Sequence, residues 1–206
     1  MTTLDLPIDP AGVKGFLDPD EGARLYEMAV DAAPLGPGLE VGSYCGKSTL
    51  YLGAGVQQAG GQMFALDHHR GSEEHQLGEE YHDPDLYDAE LKRMDSLPAF
   101  RRTLALAGLE DCVVPLVASS AQAGQYWQTP LSFVFIDGGH SLQAAMTDYQ
   151  TWVRHILPGG YLAIHDIFPN PEDGGQAPYT IYQLAQASGQ FDVLPITKTL
   201  GVLRRL

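Results

Sequence analysis

The feature that most constrains this chain is an alternation of short apolar runs with longer stretches of helical period. The runs occupy residues 39–41, 63–66, 113–117, 131–136 and 161–164, followed by a closing pair at 191–194 and 200–203. Helical periodicity covers 20–33, 48–58, 96–108, 142–156 and 179–187. Pro34, Gly36, Pro37 and Gly38 interrupt the first helix, and Pro158-Gly159-Gly160 is expected to end the fourth. The runs are apolar on both faces, as strands covered by helices on both sides must be. Strand, helix and strand in succession imply right-handed crossovers and a mostly parallel sheet.

The expected fold is therefore α/β and Rossmann-like. It is a doubly wound, mostly parallel seven-stranded sheet with an antiparallel C-terminal edge strand. A chain of 206 residues suits a single domain, 1–206. Within it, 1–36 is an N-terminal helical region and 68–95 a lid insertion. Between Asp67 and Asp95 stand ten acids, three bases and four of the seven histidines, without clear period. A loop of this length in a compact domain usually serves a function. As a lid it would exclude water from a cleft and contact a substrate. Dimer contacts are the other use expected of it.

Charge narrows the partners. Twelve Lys plus Arg against 26 Asp plus Glu give a formal net charge of −14. Nucleic-acid binders need basic patches to neutralise phosphates, so no nucleic acid and no anionic membrane surface is expected. No stretch reaches the ~20 apolar residues of a membrane span. Residues 1–10 carry acids and prolines without an apolar core, unlike a signal peptide. Cys45 and Cys112 form no CxxC pair, which suits a reducing, cytoplasmic location.

Polar residues gather where the runs end: Gly42, Asp67, Ser119, Asp137 and Asp166. In an open α/β sheet this carboxyl edge is where ligands bind. The first run leads into Glu40-Val41-Gly42-Ser43-Tyr44-Cys45-Gly46-Lys47-Ser48. Gly42 allows a tight turn and leaves room for a ligand, and Gly46 lets a helix start close to the sheet. The spacing GxxxG misses the dinucleotide GxGxxG, and it falls one residue short of a P-loop GxxxxGK[ST]. The P-loop reading keeps some support, because residues 133–137 would serve as an apolar strand ending in a metal-binding acid. Asp67, 25 positions after Gly42 at the end of the second run, can accept both hydroxyls of a ribose. His68 follows it at the rim.

A second constellation follows the fourth and fifth runs. Asp137-Gly138-Gly139-His140 ends the most apolar run, and His165-Asp166 ends the next. Adjacent strands would bring Asp137 and Asp166 within ~5 Å laterally. Two such carboxylates repel, and a shared Mg²⁺ or Mn²⁺ would relieve this with oxygen ligands. Such an ion acidifies a coordinated hydroxyl. A histidine beside it is suited to take the proton, since imidazole titrates near ~6.5. Trp127 and Trp152 read as packing residues, and His155 as a surface or structural residue.

Taken together, ExGxxxG (Glu40, Gly42, Gly46), DGxH (Asp137, His140) and PGGxxxxHD (Pro158 to Asp166) resemble class I S-adenosylmethionine-dependent methyltransferases. Within these, the chain is similar to a metal-dependent subgroup acting on hydroxyls of sugars and natural products, of macrolide-sugar and cephalosporin-pathway type. The resemblance covers roughly residues 37–170. It implies that Glu40, Gly42, Ser43, Gly46 and Ser48 form the loop holding the methionine part of the cofactor. Ser119, Ser120 and Ala121 would lie near the adenine. It further implies that Asp137 and Asp166 bind Mg²⁺ (or Mn²⁺) and that His140 is the base. His165 stands where relatives often carry an acid, and is expected to ligate the metal through one nitrogen. The acceptor implied is a small-molecule hydroxyl, with a saccharide as the expected class. The rival functions are a P-loop-like NTPase or kinase and a cofactor-binding protein without chemistry.

Overall fold

The computed structural model describes residues 4–72 and 83–206. The central part of the expected lid, 73–82, lies outside the described residues.

Seven strands form one sheet: β1 (Gly38–Val41), β2 (Met63–Leu66), β5 (Val113–Leu116), β6 (Leu131–Ile136), β7 (Ile156–Ile164), β8 (Phe191–Val193) and β9 (Gly201–Arg205). Their order is β5-β2-β1-β6-β7-β9-β8. β1 pairs in parallel with β2 and β6, β2 with β5, and β6 with β7. β9 runs antiparallel to both β7 and β8, closing the sheet as the expected edge pair. A small antiparallel ribbon, β3 (Tyr87–Asp88) with β4 (Arg93–Met94), lies within the 68–95 segment.

The helices are α1 (Pro19–Ala32), α2 (Lys47–Gln58), α3 (Leu97–Ala107), α4 (Ser120–Gly124), α5 (Leu142–Trp152) and α6 (Ala177–Ala187). They cover both faces. Side chains alternate along β6, so Phe133 and Phe135 join a core with Leu25, Met28, Leu50, Val56, Phe100 and Leu104 of α1, α2 and α3. Val134 and Ile136 face the other way, into a core with Ala145 and Trp152 of α5 and Ile181 and Tyr182 of α6. This two-sided burial is why the runs read as continuously apolar.

Two boundaries differ from the sequence expectation. The fourth helix stops at Trp152, one turn earlier, and a 3-10 turn over Val153–His155 follows. Strand β7 then begins at Ile156, ahead of Pro158-Gly159-Gly160 rather than after it. The Pro-Gly-Gly sequence cannot continue a helix, and the chain passes through it with a left-handed Gly159, φ 84°. The pairing of β6 with β7 shifts register between Leu131 and Phe133 at this point. The short helix α4 and the β3–β4 ribbon had no periodic signal. α1 begins with a capping box, in which Asp18 accepts from the α1 backbone while Glu21 accepts from the Asp18 N–H.

Candidate active site

A cleft of about 690 Å³ opens along the carboxyl edge of β5, β2, β1, β6 and β7. At its centre the chain leaves β1 at Gly42, whose φ is 92°. A Cβ on Gly42 would stand 2.1 Å from the Asp137 carbonyl oxygen, so only glycine fits. Ser43, Tyr44 and Ser48 line the cleft with it. The Ser43 hydroxyl is buried and has no hydrogen-bond partner among the described residues. A buried polar atom without a partner is expensive, so this hydroxyl fits a bound polar group. The left-handed turn continues through Tyr44, φ 46°.

Asp67 stands at the end of β2. Its Oδ2 accepts from the Tyr44 N–H at 2.8 Å and its Oδ1 from the His69 N–H at 2.7 Å. A carboxylate has about four lone-pair sites. Asp67 therefore ties the glycine turn to the start of the 68–95 segment and keeps capacity for two hydroxyls. His68, Ser119 and Ser120 line the cleft beside it, Ser119 as the N-cap of α4.

Glu40 and Gly46 do not line this cleft. Glu40 is fully buried, and its carboxyl accepts from the Ser48 hydroxyl at 2.6 Å and the Thr49 hydroxyl at 2.5 Å. Burial pushes its pKa up to about 8, against the pull of those two bonds. Glu40 thus fastens the start of α2 to β1 from beneath. Gly46, the left-handed N-cap of α2, packs against Phe100 and Thr103 of α3.

At the other end, β6 and β7 deliver Asp137, His140, His165 and Asp166. His140 Nε2 lies 3.1 Å from Asp166 Oδ2. Asp166 has a left-handed φ of 56°, which turns the chain out of β7 immediately after His165. Burial pushes the Asp166 carboxyl up, but the His140 bond and the His165 and His140 charges outweigh it and set it below the usual range. Asp137, His140 and Asp166 each offer one donor atom within 4.8 Å of the others, two oxygens and a nitrogen. That donor set fits a divalent cation.

His165, expected from the sequence to ligate the metal, stands between two carboxylates. Its Nδ1 lies 3.1 Å from Asp137 Oδ1, and its Nε2 lies 2.9 Å from Glu21 Oε2. Both ring nitrogens are engaged by carboxylates, so neither is presented to a metal in this arrangement. Burial opposes the charged ring, but Asp137, Glu21 and Asp166 prevail and hold its pKa well above the ordinary value. A cationic His165 also offsets the repulsion between Asp137 and Asp166.

Glu21 was missed from the sequence. It is 2% exposed, on α1. One oxygen accepts from both the N–H and the hydroxyl of Thr199, and the other faces His165. Burial works against the charged carboxyl, but His165 and Thr199 hold it well below the ordinary range. A signal was present: Glu21 shares the stripe of Leu25, Met28, Ala29 and Ala32, and an acid on an apolar face needs a partner. Lys14, Phe16 and Leu17, which also line the cleft, carried no comparable signal.

Residues 39–167 match the model of a family described as a methyltransferase domain. The chain belongs to that family. Its fold is similar to that of an SAH-bound methyltransferase from Podospora anserina, at 16% identity over 93% of this chain and 80% of that one, TM-score 0.64. An O-methyltransferase from Bacillus cereus in complex with SAH is 18% identical over 95% and 86%, TM-score 0.62. The O-methyltransferase NovP is 16% identical over 90% and 79%, TM-score 0.67. For this methyltransferase the P-loop alternative is not favoured. Lys47 Nζ, the would-be phosphate ligand, donates to the Gly15 carbonyl at 2.9 Å.

Proposed function

We propose that this chain is an S-adenosylmethionine-dependent O-methyltransferase acting on a hydroxyl of a small molecule. The observation that carries the reading is one continuous cleft. It has the Gly42 turn, the orphan Ser43 hydroxyl and Asp67 at one end, and the His140–Asp166 pair at the other.

When bound, S-adenosylmethionine supplies a methyl group on a positively charged sulfur, already reactive toward an oxygen. The chain's residues bind and align. The Gly42–Tyr44 turn and Ser43 receive the amino-acid part, and Asp67 receives the ribose. Ser119 and Ser120 stand at the base end. His140 takes the proton from the acceptor hydroxyl as the oxygen–carbon bond forms, and Asp166 steadies the ring and the positive charge it gains. Glu21 and His165 hold Asp137 from behind. Holding the acceptor oxygen in line supplies much of the rate. Asp137 and Asp166 would hold Mg²⁺ or Mn²⁺, which supplies Lewis-acid polarisation of a coordinated hydroxyl. His140 is the third donor of that group, but we assign it to the proton. A saccharide or sugar-bearing acceptor is supported by the polar mouth: His68, Ser72, Ser141 and Gln143 line it.

The test combines binding and turnover. Calorimetry should show S-adenosylhomocysteine binding and no comparable affinity for ATP; the reverse would overturn the cofactor. With an acceptor found among sugars and phenols, His140→Ala should lose roughly 10²–10⁴ in kcat while still binding S-adenosylhomocysteine. Undiminished turnover would remove His140 as base. EDTA should suppress the wild-type rate and Mg²⁺ restore it; indifference to both would remove the metal.

A further inference from the structure

The cleft contains a fourth carboxylate, used neither by the ribose end nor by the His140 end. Asp148, on α5, lines the cleft and is 8% exposed. Burial pushes its carboxyl up to about 6, with the neighbouring Ser120 hydroxyl pulling the other way.

Its surroundings are defined on three sides. Trp152 Nε1 lies 2.9 Å from Ser120 Oγ. An indole N–H only donates, so Ser120 accepts there and keeps its own proton for a second acceptor, and Asp148 stands beside it. Asp148 Oδ2 lies 2.7 Å from where a Cβ on Gly138 would stand. A side chain at Gly138 would therefore push the Asp148 carboxylate aside. On the third side, Asp67 and His68 are near enough to act on its charge.

The sheet order supplies the address. Along the carboxyl edge come β6, β1, β2 and then β5. A nucleoside whose ribose sits on Asp67 at the end of β2 extends its base toward the end of β5. There Ser120 opens α4 and meets Asp148 from α5. An ionised carboxylate only accepts hydrogen bonds. An adenine edge offers an exocyclic amine, a donor, where a 6-oxo purine offers an acceptor oxygen. We propose that Asp148, oriented by the Trp152–Ser120 relay, reads the exocyclic amine of the cofactor's base and selects 6-amino over 6-oxo purines. This rests on the cofactor reading above.

The experiment is calorimetry of the whole chain with S-adenosylhomocysteine and with its deaminated analogue, S-inosylhomocysteine. Wild type should prefer the amino form by roughly 30-fold or more, since the oxo form sets an acceptor against a buried acceptor. Asp148→Asn offers an amide that can donate as well as accept, and should narrow the preference to about threefold or less. If that variant fails to fold, Ser120→Ala should narrow the ratio in the same direction by releasing the carboxylate. Binding of the amino form with no preference in wild type, or an undiminished preference in the variants, would overturn the role of Asp148 while leaving the cofactor intact. Failure of wild type to bind either compound would overturn the cofactor reading, and this inference with it.

Discussion

The two ends of the cleft are built by different means. The glycine-turn end, which we assign to the nucleotide, is made largely of backbone: a left-handed turn through Gly42 and Tyr44, tied to Asp67 by the Tyr44 N–H, with the His69 N–H on the other carboxylate oxygen. The other end is made of side chains braced by side chains: Glu21 on His165, His165 on Asp137, Asp166 on His140. A backbone site tolerates almost no added atom, because nothing in it can rotate away. A side-chain site can change a member and keep its shape, but its charges are coupled, so a change at one position is felt along the row.

The largest effect on binding should come from breaking the backbone end. Gly42→Ala puts a methyl 2.1 Å from the Asp137 carbonyl at a φ of 92°. The turn must move, at about 1–3 kcal/mol of stability, and it carries Ser43 and Tyr44 with it. Urea unfolding should register the loss, and binding of S-adenosylhomocysteine should fall by about 100-fold or more, near 2.7 kcal/mol. Near-normal binding would mean that the ligand does not depend on this turn.

The side-chain end should answer differently. Glu21→Gln keeps volume and removes the charge behind His165. Residues that orient a site's charged groups typically contribute 10–100-fold to activity. We expect kcat to drop by roughly that amount, with S-adenosylhomocysteine affinity little changed. Loss of cofactor affinity and rate together would show that the two ends are one mechanical unit, contrary to the comparison.

The same contrast explains what the sequence made legible. Backbone sites announce themselves, since only glycine allows the turn and a strand must precede it; Gly42, Asp67 and the parallel sheet were all readable. DGxH and HD were readable as residue types, but not in their pairing. Nothing local to His165 announces Glu21, which reaches it from α1, 144 residues away in the chain. Glu21 itself is disguised by its second role in the capping box. Asp148 looks like one more polar residue of an amphipathic helix; only the fold brings Ser120 and Gly138 against it.

Glu40 lies beneath both ends, and its effect should appear through pH. The carboxyl is raised from 4.5 to about 8 by burial. The folded chain therefore keeps a proton that the unfolded chain releases above ~4.5. Its contribution to stability is present at low pH and declines as pH rises through that window. Between pH 5 and 8.5, wild type should lose roughly 2–4 kcal/mol more than Glu40→Gln in urea titrations. Parallel pH profiles would mean that Glu40 is ionised in the fold and that its charge is met by groups other than Ser48 and Thr49.

The smallest effect belongs to the rim. Lys14 Nζ lies 2.6 Å from Asp83 Oδ2 and 2.8 Å from Asp85 Oδ2, joining the N-terminal segment to the far side of the 68–95 insertion. The lysine is 42% exposed and the Asp85 side chain 81%. Exposed pairs are worth about 0.2–1 kcal/mol and weaken in salt. Lys14→Ala should therefore lower stability by less than about 1 kcal/mol at low ionic strength, and the difference from wild type should vanish near 1 M salt. A larger, salt-resistant loss would make the N-terminal segment part of the packed wall, and the rim would then belong with the rigid nucleotide end.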